Sequence, residues 1–155
     1  MLPLSFSVSL LLLLSSLSLQ ALTLQGRGLQ AVQQRRRLLE DQLMAAAQVV
    51  AGQLQRQHRC LLPLADQAWA GAGAACASPA ELAALQAGQT WRLLRYRQLQ
   101  PPAVEGAAQG EGELLLQPSA GGPAAAFRLR WQQVGPQAPP QLLGMQELGL
   151  RGADS

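Results

Sequence analysis

Apolar and polar positions follow a succession of distinct patterns along this chain, and each pattern predicts a different element. The first runs from Leu2 to Leu24, LPLSFSVSLLLLLSSLSLQALTL, without one charged side chain. A helix needs about 20 apolar residues to cross a hydrocarbon layer of ~30 Å, so the run predicts a membrane-spanning helix over 1–25. Its serines and Thr23 can return their hydroxyl hydrogen bonds to the helix backbone, and Pro3 falls in the first turn, where no ladder donor is lost. A cleaved signal peptide is the competing reading, because Leu10 to Leu14 followed by Ser16-Leu17-Ser18 has the form of an apolar core and a small-x-small cleavage site. The length of the run, the lack of a preceding arginine or lysine, and periodicity that continues past the cut favour a retained anchor.

The second pattern has a helical period. No proline occurs from Gln25 to Arg59, and Leu29, Val32, Leu39, Leu43, Val50 and Leu54 recur at helical intervals, with Ala46 and Ala47 in the same stripe. An amphipathic helix is therefore expected over 26–59, continuing the anchor as one rod. At 1.5 Å per residue, a helix from about Leu4 to about Arg59 would be ~80 Å long, and the surplus beyond one bilayer must project into water. Arg36 with Glu40 and Arg37 with Asp41 stand four apart and mark the solvated side. A coiled-coil stalk is the other explanation of the stripe, although the repeat is short and rich in alanine.

Residues 60–89 read as a connector. Cys60 and Cys76 are the only cysteines and enclose LLPLADQAWAGAGAA, where Pro63, Gly71 and Gly73 signal a loop. Paired, they would staple that loop to the end of the rod, stabilising the fold by about 3 kcal/mol in the chain-entropy account; two unpaired buried thiols are the other possibility. His58, the sole histidine, reads as a surface residue on the last turn of the rod, and with two cysteines it falls short of the four ligands a structural zinc needs. Ser78, Pro79 and Glu81 supply an N-cap, a first-turn proline and a capping-box acid, with Gly88 as a stop, so a short helix is expected over 79–87.

Strand patterns follow. Thr90 to Gln100, Gly112 to Gln117 and Ala124 to Val134 are separated by Pro101, Pro102 and Gly106, and then by Pro118, Gly121, Gly122 and Pro123. Short connections predict an antiparallel meander over 90–134. Alternation places Phe127, Leu129 and Trp131 on one face and Arg128, Arg130 and Gln132 on the other. Leu94 and Tyr96 are expected on the buried face of the first strand, with Arg95 and Arg97 outside. Gly112, Leu114 and Leu116 face inward in the second, with Glu111 and Glu113 outside, so cross-strand ion pairs should form on the wet face. The tail, 135–155, is read as irregular, with Leu142 to Leu150 as a possible edge strand. Together these elements define an α+β fold: a long N-terminal helix, membrane segment continuing into amphipathic helix, packed on a small three- or four-stranded antiparallel sheet.

Composition narrows the function. The chain has 155 residues, of which 48% are hydrophobic and 14% charged, and a formal net charge of +3 carried entirely by arginines. Charged residues make up about a quarter of an average soluble domain, and the apolar excess here lies at the N-terminus. No nucleophile elbow, zinc-protease motif or phosphate-binding loop occurs, and one histidine with scattered carboxylates makes an enzyme unexpected. No cofactor or metal is called for. A basic patch interleaved with aromatics is not apparent, so nucleic acid is not an expected partner.

The order of elements resembles the type IV pilins and the pseudopilins of type II secretion. The most sequence-like part is Ser5 to Leu54, where SVSLLLLLSSLSLQALTLQGRGL and RRRLLEDQLMAAAQVVAGQL look like the leucine-rich start and alanine-rich second segment of certain minor pilins. The glutamate common near the start of that family has no counterpart, the first acid being Glu40, which points to a minor subunit. The resemblance implies a non-enzymatic subunit that assembles into, or primes, a filament through its N-terminal helix, with other pilin-like subunits as partners and lipid around 2–24. It also implies a single-pass inner-membrane protein with its C-terminal domain periplasmic or extracellular. Arg27 and Arg35 to Arg37 would place that domain in the cytoplasm by the positive-inside rule; the cysteine pair argues for the oxidising side. The alternative is a single-pass envelope adaptor or sensor whose small extracytoplasmic domain binds an envelope protein without polymerising.

Overall fold

The computed structural model describes residues 30–73, 76–100, 107–135 and 137–151. The expected membrane segment 1–25 and the stripe residue Leu29 lie outside them. Among the described residues, no helix is long and apolar enough to cross a membrane. The chain divides into two units, Met1–Leu39 and Glu40–Ser155, the boundary falling within helix α1, which covers residues 30–56. In the first unit, residues 30–38 are helical with exposed side chains.

In the second unit, α1 packs on an antiparallel sheet. Leu43, Ala46, Ala47, Val50, Ala51 and Leu54 are all at most 5% exposed, at the spacing that one helix face requires. The sheet has four strands, β1 (Trp91–Gln100), β2 (Ala107–Pro118), β3 (Ala124–Val134) and β4 (Gln141–Arg151), in the order β1-β2-β3-β4. Tyr96, Leu114, Leu116, Ala125, Phe127, Leu129 and Trp131 are fully buried, giving the core its second layer. The α+β class and the helix resting on the sheet therefore stand as the pattern predicted.

Large rings cover glycines at the heart of this layer. A Cβ at Gly112 would lie 2.6 Å from Cζ of Tyr96, and one at Gly110 would lie 2.8 Å from Cη2 of Trp131. Only a residue without a side chain lets each ring lie flat on the neighbouring strand.

Four expectations need correction. The tail is not irregular: β4 pairs with β3 from Ala124↔Arg151 to Gln132↔Gln141. Register shifts at Ala126/Phe127 and Arg130/Trp131 leave Leu148 and Leu143 as extra residues, so the run QLLGMQELGLR loses the period of two that would have marked it as a strand. Leu94 is not a core residue, being 40% exposed. A register shift between Leu93 and Arg95 leaves it unpaired in a bulge, while Tyr96 returns to the inner face opposite Leu114. β2 begins at Ala107 rather than Gly112, because small and polar residues of weak strand propensity are held there by pairing with β3. Finally, the outer face is not simply wet, since Leu115, Ala124 and Ala126 form a buried cluster on it with Leu148 packed alongside.

The connector folds more tightly than a loop. After a 3₁₀ turn (Arg59–Leu61) comes one helical turn, α2 (Asp66–Trp69), and then α3 (Pro79–Gln86). The capping box of α3 forms as expected: the Ser78 amide donates to Glu81 Oε2 at 2.7 Å, and the Glu81 amide donates to Ser78 Oγ at 3.3 Å. Those bonds to Ser78 hold the exposed Glu81 carboxyl below its ordinary range. A disulfide joins Cys60 and Cys76 with their Cα atoms 6.0 Å apart.

Candidate functional site

The apolar stripe of α1, expected to serve as a packing surface, has two fates. Leu43, Val50 and Leu54 are fully buried against the rest of their own unit. Leu39 is half-buried and Val32 is 66% exposed, while Leu38, adjacent to Leu39 and off the stripe, is 60% exposed. Only the stretch from Leu43 onward supplies the internal core. An apolar side chain left at two-thirds exposure keeps most of its transfer free energy, ~25 cal/mol per Å², for another surface.

The disulfide-closed connector is seated on β1 by polar groups that meet one carbonyl. Tyr96 Oη donates to the Leu62 carbonyl at 2.8 Å, and Gln98 Nε2 donates to the same oxygen at 2.6 Å. Trp69, 1% exposed, stacks near Tyr96 with ring centroids 5.4 Å apart, and its Nε1 donates to the Leu64 carbonyl at 3.0 Å. Burial pushes the Tyr96 phenol well above the ordinary tyrosine range, since its anion would be poorly solvated there. His58 corrects another expectation. It is only 4% exposed, and its Nδ1 lies 3.0 Å from the Cys76 carbonyl, which can only accept, so that nitrogen carries the proton. Its place after the last turn of α1 turns it toward the Cys76 end of the loop that the disulfide draws in. Neither Trp69 nor the pair Leu61 and Leu62 was singled out from sequence; a tryptophan inside a glycine-rich loop is the signal that could have found the first.

The outer sheet face carries a cluster of ion pairs. Glu113 projects from β2, the middle of that face, yet is 3% exposed, against its expected place in water. Arg97 Nη2 approaches Glu113 Oε1 at 3.0 Å, Arg151 Nη2 approaches its Oε2 at 3.2 Å, and Arg95 Nη2 stands 3.9 Å from Oε1. Arg128 reaches Glu111 at 3.7 Å. The register accounts for the Arg97 pair, since Arg97 lies directly opposite Glu113, whereas Arg128, opposite Glu113 on β3, reaches diagonally to Glu111 instead. Arg151 joins only because β4 forms. At the end of the face, Arg92 Nε donates to Gln117 Oε1 at 2.9 Å. The arginine side chains in these ion pairs are 33–46% exposed, so each pair adds little to stability. Removing all the arginines around Glu113, however, would strand a buried carboxylate.

Among the described residues, no group of three or more histidine, cysteine or carboxylate side chains could hold a metal ion. The cleft lined by Gln109, Gly110, Glu111, Arg130, Trp131 and Leu143 measures about 120 Å³ and brings no nucleophile to a base. No protein-family model, curated protein or solved structure matches the chain. The class that fold and surface define is thus an α+β domain, one helix on a four-stranded antiparallel meander, with two candidate contact surfaces.

Proposed function

We propose that this chain is a non-enzymatic, membrane-anchored, pilin-like subunit, a minor pilin or pseudopilin, that assembles into or primes a type IV pilus or type II secretion filament through its N-terminal helix. The observation that carries the reading is the division of the α1 stripe. Its later residues are consumed by the domain's own core, while Val32 stays in solvent at 66% exposure, and Leu38, off the stripe, is 60% exposed. Lateral packing against a neighbouring helix is what such residues can do, exchanging water or lipid contacts for side chains of a like rod. The Cys60–Cys76 disulfide supports a head domain on the periplasmic or extracellular side of the inner membrane, because such bonds persist in oxidising compartments. Residues 2–24 supply the lipid contact in this reading.

Site-directed cross-linking tests it. The full chain carrying Val32→Cys, expressed in bacterial membranes with its native disulfide intact, is treated with a bismaleimide. A cross-link to a second copy or to another pilin-like subunit is expected, with none from Ser119→Cys in the exposed β2–β3 turn. Equal yields from the two positions, or none from Val32→Cys, would refute assembly through this helix.

A further inference from the structure

We propose that the outer face of the sheet is a docking surface for an acidic, extended segment of a partner protein. Half of the 12 basic residues of the chain stand on it: Arg92, Arg95 and Arg97 from β1, Arg128 and Arg130 from β3, and Arg151 from β4. Among the described residues, only Glu111 and Glu113 of β2 oppose them on this face. The face therefore holds an excess of about four positive charges on a chain whose whole formal charge is +3.

The internal ion pairs do not exhaust these donors. Glu113 is engaged by Arg97 and Arg151 at 3.0 and 3.2 Å, which leaves Arg95 at the longer distance of 3.9 Å. The Arg95 and Arg128 side chains keep 41% and 39% exposure beside their ion pairs, and the exposed Arg130 has no ion-pair partner among the described residues. A guanidinium offers five N–H donors in a planar fork that matches a carboxylate, so each arginine can hold one acid inside the sheet and still present donors outward.

Three features select a polypeptide as occupant. Arg95 and Arg97, and likewise Arg128 and Arg130, are two residues apart on one strand, and an extended segment with an acid at every second position has the same repeat. Tyr96, Phe127 and Trp131 are all at 0% exposure on the opposite face, so bases of a single-stranded nucleic acid would find no ring to stack on. The apolar cluster on the outer face is also buried, with Leu115 at 7% and Ala124 and Ala126 at 1% and 0%, so that cluster offers no wedge to enter a bilayer. A filament subunit and a non-polymerising adaptor could each use this surface, so its test is separate from cross-linking through α1.

The probe is a fluorescein-labelled peptide of alternating glutamate and threonine, titrated by anisotropy against the full chain in nonionic detergent micelles. Binding at low ionic strength that falls as salt rises is expected. The triple variant Arg92→Ala, Arg95→Ala, Arg130→Ala should weaken it by about tenfold or more while Arg97 and Arg151 still cover Glu113. Arg130→Glu alone, at an exposed position without an ion pair among the described residues, should weaken it severalfold with an unchanged thermal midpoint. Arg35→Ala with Arg37→Ala, on α1, should leave it unchanged. Equal losses in the α1 and sheet variants, or none in the sheet variants, would overturn the proposal. So would tighter, sheet-dependent binding to phosphatidylglycerol vesicles or to a single-stranded oligonucleotide than to the peptide.

Discussion

Replacing Leu43 by alanine isolates the contact on which the architecture turns, the seating of α1 on the sheet. Leu43 is fully buried and belongs to the same stripe as Val32, which is 66% exposed. Truncation removes three carbon atoms, worth about 0.8 kcal/mol each in transfer free energy, and leaves a cavity between helix and sheet that relaxes only in part. The expected loss is about 3 kcal/mol, a large share of the ~5–15 kcal/mol that holds a small domain together. For a domain of this size each kcal/mol moves the thermal midpoint by roughly 4 °C, so a drop of about 12 °C is expected. Thermal unfolding of the full chain in mild detergent, followed by near-UV circular dichroism of the buried Trp69 and Trp131, would measure it. Val32→Ala on the exposed part of the stripe serves as the reference and should shift the midpoint by less than about 2 °C. Equal shifts for the two variants would refute the claim that the later stripe is core while the earlier part is not.

Two further outcomes are expected. Under non-reducing, denaturing conditions no thiol should react with a maleimide, and Cys60→Ser with Cys76→Ser should lower stability by about 3 kcal/mol, the entropy of a closed loop of about fifteen residues; two reactive thiols in the native chain would remove the staple. Tyr96→Phe deletes one of the two donors to the Leu62 carbonyl, so it should lower stability at neutral pH by about 1 kcal/mol, with Gln98 still satisfying that oxygen. The pH dependence has a definite sign. Because burial raises the phenol in the folded state, its contribution is complete below the ordinary value of 10.0 and is lost as pH climbs from there toward the raised one. Alkaline denaturant titrations should therefore weaken wild type more steeply than Tyr96→Phe, and parallel curves would show the phenol to be solvated.

Local chemistry made several elements legible. The Ser78 and Glu81 capping box specifies the start of α3 through bonds that span three residues, and it forms as read. Glycine and proline clusters separate the strands because they punctuate a chain whatever its tertiary setting. In β3, Phe127, Leu129 and Trp131 fall on one face because no bulge interrupts its pairing with β2. The stripe from Leu43 to Leu54 is equally local, being a consequence of 3.6 residues per turn.

What remained hidden depended on partners distant in sequence. Leu94 and Tyr96 look equivalent in an alternating run, and only pairing with β2 places a bulge between them and sends one into solvent. The tail becomes β4 because β3 offers it an edge, while two bulges erase its own periodicity. Glu113 is an outward acid by alternation, yet arginines from β1 and β4 enclose it, and one of them comes from the strand that sequence left irregular.

The amino-acid sequence by itself determined the succession of α1, α3 and the first three strands, the helical stripe, the cap of α3 and the sign of the charge, since each arises from residues within a few positions of one another. Tertiary structure alone decided which part of the stripe became core, where the strands bulged, and that half of the arginines met on one surface. Those outcomes depend on register between segments tens of residues apart, and a displacement of one residue there sends a side chain to the opposite face.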